Sequence, residues 1–359
     1  MTAKSETICS YTLADVRKSL WEAVDRRDVR AANRWTAELV ATPGAVGSLW
    51  ASYWLAWATS QSGPTIPILL KQSWASITAA AKELVPAGGW PAFRNDHDVR
   101  AIPAETTKRL LSLPRQTSVI WPSREIIMYD VANMRDSPVP AAADGQVVLR
   151  VWRRDEDALE LRLMAGRFIT HLETGDLRGA LSALAWTLMT PAQQGLNGPL
   201  KCAERGLALV PPLTKKICQS PLWFWLDLGR SYYLSKPHMH KGWLTMHNAI
   251  AEAFRVHYKR WTTVERMRIL LAWILQVRAS MTQQPDSIWT AGPLHQTVDE
   301  IDLPYKEIAA ELADPDSVLR QKEKQEKQEE QNSKTRSEAK MAEADAAVMA
   351  ALGLGTDDV

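Results

Sequence analysis

The chain is poor in the residues that staple small secreted folds. Its 359 residues include three cysteines, Cys9, Cys202 and Cys218, with no CxxC spacing among them. That argues against a disulfide framework and suits a reducing compartment, cytoplasm or nucleus. No apolar run reaches the roughly eighteen residues a membrane helix needs, so no spanning segment is expected. The opening MTAKSETICSYTLADVRK has no apolar stretch of the kind a secretory signal carries. Nucleotide and hydrolase signatures are missing as well. There is no GxxxxGK[ST], no GxGxxG behind a strand, no GxSxG, no HExxH and no kinase set. GLGTDD near the end follows a charged segment and lacks a dinucleotide-binding context. These gaps argue against a nucleotide-driven motor or a standard hydrolase. The expectation is a protein without catalytic residues, cofactor or metal.

Phenylalanine is scarce too, at 4 residues, whereas tryptophan reaches 16. Indole rings therefore fill the aromatic role. SLWASYWLAWATSQ, residues 48–61, holds Trp50, Trp54 and Trp57 at helical i, i+4, i+7 spacing, with Tyr53 beside them. Such a stripe packs against other helices or forms an oligomer interface. Base stacking would need the rings exposed, which is costly on a soluble surface.

The net charge of +2 conceals an asymmetry. From Asp299 onward there are sixteen acidic and eight basic residues, against twenty-five and thirty-five before it. A basic body is compatible with nucleic acid, and the acidic end could screen it or reach another partner.

Along the chain the periodicity is helical and the fold class is all-α, as hairpins packed in a collar-like or solenoid-like bundle. TLADVRKSLWEAVDR starts a helix with Thr12 as N-cap and Asp15 as a capping-box carboxylate. Asp28 caps the next helix, which Pro43-Gly44 stops. An N-terminal helical domain is expected over 1–85 and an irregular Pro-rich insertion or linker over 86–148. A second helical domain follows over 149–300, then a charged, partly helical or disordered tail over 301–359. QVVLRVW, residues 146–152, is the best strand candidate. The low-complexity stretch 316–345 lacks heptad apolar positions, which disfavours a coiled coil. AAVMAALGLG beyond it is either a docking peptide or the end of a frayed helix. A shift of 148 aligns the first hairpin with a later one, so that Asp28, Arg30, Ala32, Ala37, Thr42 and Pro43 meet Asp176, Arg178, Ala180, Ala185, Thr190 and Pro191. Duplication and convergence both explain this.

Two polar clusters could carry function. His238, His240 and His247 offer metal-ligand chemistry, but no carboxylate pattern joins them and no metal site is assigned. Arg255, His257, Lys259, Arg260, Arg266 and Arg268 are interleaved with Phe254, Tyr258 and Trp261. Cations that pair with phosphates and rings that stack on bases make this the candidate nucleic-acid contact; a solvated helix face is the alternative. A smaller basic set, Arg26, Arg27, Arg30 and Arg34, lies on the first hairpin.

ADVRKSLWEAVDRRDVRAANRWTAELVATPGAVGSLWASYWLAWATS resembles the helical C-terminal region of the replication-associated recombination ATPases of the RarA/MgsA type, relatives of the clamp loaders. Asp28 in the short turn, Ala31-Ala32, Trp35 and the 48–60 helix carry the likeness. Downstream, YYLSKPHMHKGWLTMHNAI is similar through Lys236-Pro237, Thr245, Asn248 and Ala249. The resemblance covers about a third of the chain and has no counterpart of the family's ATPase domain. Thr59-Ser60-Gln61 replace the acidic residues that close the second helix there. It implies a collar or oligomerisation module connected with replication or repair, working through protein partners or self-association, with DNA as a further partner. It carries over no catalytic residue. A helical-repeat adaptor without a nucleic-acid role is the competing expectation.

Overall fold

The computed structural model describes residues 6–60, 63–112, 142, 145–189, 200–205, 214–236, 242–279 and 298–313. The fold is all-α, and among these residues no strand forms; the one β-bridge joins Glu6 and Thr12.

The first hairpin pairs α1 (Leu13–Arg26) with α2 (Val29–Ala41). Thr12 caps α1 by accepting from the Asp15 amide at 3.2 Å, and Asp28 caps α2 by accepting from the Ala31 amide at 3.0 Å. Arg27 turns the chain between them in the left-handed region, φ 58°. α3 (Val46–Ser60) is apolar on nearly every side and lies inside the molecule, as expected of a helix without a polar face. α4 (Thr65–Asn95) is broken in direction at Gly88 and Gly89, where Gly89 adopts φ 70°. α5 (His97–Ser112) follows, capped by Asp96 accepting from the Val99 amide.

Residues 86–112, expected to be irregular, are therefore helical. Pro91 stands where a helix restarts after the Gly89 kink, a position at which its missing N–H costs nothing. Pro103 lies inside α5, which is held by burial of Val99, Leu110 and Leu111; its carbonyl accepts from the Tyr53 and Thr107 hydroxyls, at 3.1 and 2.9 Å. The rest of the expected insertion, 113–141 with 143 and 144, falls outside the described residues.

QVVLRVW is not a strand. Gln146–Leu149 form a short helix, α6, that buries Val148. With no partner edge, β-propensity has nothing to pair with, and packing of Val148 decides the conformation.

The second hairpin pairs α7 (Leu159–Thr174) with α8 (Leu177–Met189). It repeats the first at the offset of 148. Gly175 takes the left-handed place of Arg27, at φ 79°. Asp176 accepts from the Gly179 amide at 2.9 Å, as Asp28 does from Ala31. The closing bond also recurs: the Asp28 amide donates to Ala23 O and the Asp176 amide to His171 O. Thr190 and Pro191 lie outside the described residues.

A short α9 (Lys215–Cys218) leads to α10 (Pro221–Leu234), α11 (Gly242–His257), a 3-10 turn (Tyr258–Arg260), α12 (Thr263–Ala279) and α13 (Val298–Ala313). α12 packs on both α3 and α8, and α11 packs on α4. The buried residues of the 13–112 and 145–279 helices consequently form one cluster. α13, expected as part of a tail, is docked on α2 and α5 with Ile301 and Ile308 buried. No helix among the described residues is long and apolar enough to cross a membrane.

Candidate nucleic-acid interface

The structure places Trp50, Trp54 and Trp57 inside, each at 2 % exposure or less. Burying an indole removes about 200 Å² from water, an upper contribution of about 5 kcal/mol. Their polar edges are also used: Trp50 Nε1 donates to Leu70 O at 3.2 Å, and Trp57 Nε1 to Gly63 O at 3.1 Å. Tyr53 Oη sits among Thr36, Thr107 and Pro103 O. The stripe thus packs α3 against α4 and α5 and presents no ring for stacking.

The basic segment divides. His257 is 1 % exposed, its ring in contact with Trp74 and Trp261. Burial, with the Arg260 charge, lowers its pKa to about 3, so it is a neutral core residue and touches no phosphate. The expectation that His257 binds nucleic acid is corrected: helix periodicity turns it onto the face that meets α4. Phe254 and Trp261 are buried too, so they are not open to bases. Trp261 Nε1 donates to Ala51 O at 3.2 Å, which anchors the segment on α3. Arg255 pairs with Glu252 at 3.4 Å. Arg268 is half-buried on α12.

Lys259 and Arg260 do reach solvent, on the 3-10 turn. The Arg260 guanidinium rests against Gly47 at the start of α3, where an added Cβ would lie 2.6 Å from its Cζ. The Arg266 guanidinium carbon lies over the Tyr258 ring, 3.9 Å from its centroid. Arg266 Nε donates to Tyr258 O at 3.2 Å and its Nη2 to Trp261 O at 2.7 Å. Two donors are fixed to backbone; a guanidinium has five, so others remain.

Arg266 and Tyr258 line a cleft of about 660 Å³. Leu188, Leu200, Ile217 and Leu222 supply apolar wall, and Lys201 and Lys215 add two further cations. No carboxylate is among the described residues lining it. Lys201 Nζ donates to Asp155 O at 2.7 Å, and Lys215 Nζ lies 3.5 Å from the Glu204 carboxylate. The Tyr258 hydroxyl bonds Ser220 Oγ at 3.1 Å, the residue that caps α10. Lys201, Lys215 and Ser220 come from segments far from 255–268. No motif links them; the only sign in the sequence is their place beside proline-punctuated turns.

In the other basic set, Arg30 and Arg34 are taken by carboxylates. Arg30 pairs with Glu307 at 2.9 Å and Arg34 with Glu38 and Glu311 at 2.9 and 2.5 Å. Glu307 and Glu311 of α13 thus neutralise these two arginines. A second basic concavity, of about 260 Å³, brings Arg150, Arg153, Arg205 and Arg230 around Asp227. Arg205 is consumed there by buried Asp157, at 2.6 and 2.8 Å, and by Val151 O. Burial alone would raise the Asp157 pKa, but Arg205 and the Ala203 and Arg153 amides hold it below its usual range. This pair locks the turn before α7 to residues 203–205 and is structural.

Other reactive groups are quiescent. The three cysteines are free and buried, and burial, with nearby carboxylates, pushes Cys9 and Cys202 up to about 12, where no thiolate forms. His247 is buried between Trp243 and Trp273, and burial lowers its pKa to about 4. His238 and His240 lie outside the described residues. Among the described residues no three His, Cys, Asp or Glu side chains converge on a metal-sized site. No protein-family model, curated protein or solved structure matches the chain.

Proposed function

We propose that this protein is a non-ATPase accessory or scaffold protein of DNA replication or repair, comparable to a detached clamp-loader-type helical collar. It acts through protein partners or self-association inside the cell, and contacts DNA through the 258–266 segment. The observation that carries the DNA contact is the pairing of a solvent-facing Lys259–Arg260 turn with the cation-lined cleft behind it. Anchoring of that turn by Trp261 on α3 supports a rigid surface, which phosphate contacts favour. The replication and repair setting rests on the sequence likeness of the first hairpin and of the 232–250 segment.

The repeated hairpin supports a second reading, a helical-repeat adaptor that binds protein alone. Fluorescence anisotropy of the full chain with single-stranded, duplex and forked DNA across a salt series separates the two. Affinity that falls steeply with salt, and that Lys259→Ala/Arg260→Ala weakens in every DNA form, is the expected result. No binding at low salt removes the DNA contact and leaves the adaptor.

A further inference from the structure

We infer that the cleft beside Tyr258 is a nucleotide pocket, which takes one unstacked nucleotide with its base in the apolar slot and its phosphate on Lys201, Lys215 and Arg266. This rests on the nucleic-acid reading above and names the substrate class as single-stranded rather than duplex. About 660 Å³ lies in the range of preformed small-ligand sites, roughly 300–1,000 Å³. An inorganic anion alone would have no use for the wall made by Leu188, Leu200, Ile217 and Leu222. An uncharged apolar ligand would have none for three cations, of which Lys215 shares its charge with Glu204 at 3.5 Å.

The Arg266–Tyr258 pair, guanidinium carbon over ring, then favours a flat ligand. Held by Tyr258 O and Trp261 O, the guanidinium plane cannot swing away, so no side-chain ordering cost falls on binding. Planar guanidinium groups and aromatic rings are the surfaces on which unpaired bases stack. The Ser220 and Tyr258 hydroxyls, 3.1 Å apart, offer hydrogen-bond partners at the same wall. A base in a duplex cannot enter such a slot without unpairing, which is why the pocket favours single strands.

The ligand chemistry, an aromatic base bearing phosphate, could come from a strand or from a free nucleotide. The test uses the full chain and three probes, each titrated directly by calorimetry: an oligothymidylate, the same length of abasic strand, and thymidine monophosphate. Oligothymidylate is expected to bind about tenfold more tightly than the abasic strand, the worth of a stacked base. Thr263→Trp, at an exposed position lining the mouth, should abolish that difference. Lys201→Gln/Lys215→Gln, both exposed, should weaken both strands and lower the salt slope by about one for each phosphate no longer neutralised. Far-ultraviolet circular dichroism of each variant confirms the fold. Equal affinity for both strands, or an unchanged preference in Thr263→Trp, overturns the pocket while strand binding itself upholds the DNA reading. Thymidine monophosphate bound without any strand upholds the pocket and overturns the DNA reading. Absence of binding by all three probes overturns both.

Discussion

Gly229 faces Trp273 across the interface between α10 and α12, and a Cβ at that position would overlap the indole ring. The interior is close-packed and the ring is 1 % exposed, so it has nowhere to retreat. Gly229→Ala should therefore cost about 2 kcal/mol or more, despite the better helix propensity of alanine. Adding Trp273→Leu should recover part of that loss, because the smaller side chain vacates the space. Urea unfolding of the single and double variants measures this; a neutral Gly229→Ala would show that the two helices are not held at this distance. Gly229 gave no sign in the sequence, since a glycine inside a helical pattern reads only as a weak point.

α13 illustrates docking by charge. Asp302 meets Arg100 at 2.8 Å, Glu307 meets Arg30, and Glu311 shares Arg34 with fully buried Glu38. The Tyr11 hydroxyl donates to Glu311 at 2.7 Å, and Tyr305 lies under the Arg100 guanidinium, 4.3 Å from the ring centroid. The exposed Arg30–Glu307 pair contributes little. The Arg34 group is different, because burial raises the stakes of every unmatched charge. Burial alone would lower the Arg34 pKa, but Glu38 and Glu311 outweigh it and raise it. Glu311→Gln should cost about 3 kcal/mol and loosen α13 first, leaving the Arg34–Glu38 pair in place. Hydrogen exchange localised to 298–313 is the expected signature; uniform loss of protection across the chain would show that α13 and the body unfold as one unit.

At the level of the whole molecule, two neutral histidines sit inside the shared core and should contribute to its acid sensitivity. His247 and His257 have folded pKa values lowered to about 4 and about 3 by burial, with Arg230 and Arg260 adding to it. The unfolded chain takes up their protons near pH 6.5, before the folded one does. Stability is thus fully present above about pH 6.5 and declines as pH falls toward the folded values. At about 1.4 kcal/mol per unit, the His247 shift alone is on the order of 3 kcal/mol. Urea midpoints at pH 7, 5.5 and 4 should fall progressively, and His257→Phe should flatten the decline. An equally steep decline in His257→Phe would assign the acid sensitivity to other groups.

Local signals in the sequence determined the helices. Thr12, Asp28 and Asp176 are short polar side chains placed where a helix start needs an acceptor, and apolar spacing of 3.6 residues needs no tertiary context to be read. The repeated hairpin was legible for the same reason, down to the matching caps. Long-range packing decided the rest. QVVLRVW reads as a strand by composition, yet a strand exists only if another pairs with it. Proline and glycine in 86–112 signal irregularity, yet the break is confined to a kink at Gly88 and Gly89, and burial of Val99, Leu110 and Leu111 in the core holds α5 helical through Pro103. His257 and Arg260 are three residues apart with similar prospects of meeting a phosphate; only the packing of α11 on α4 turns one inward and the other outward. Lys201, Lys215 and Arg266 share a cleft because three separate segments of the chain meet there, and no spacing within the sequence encodes that meeting.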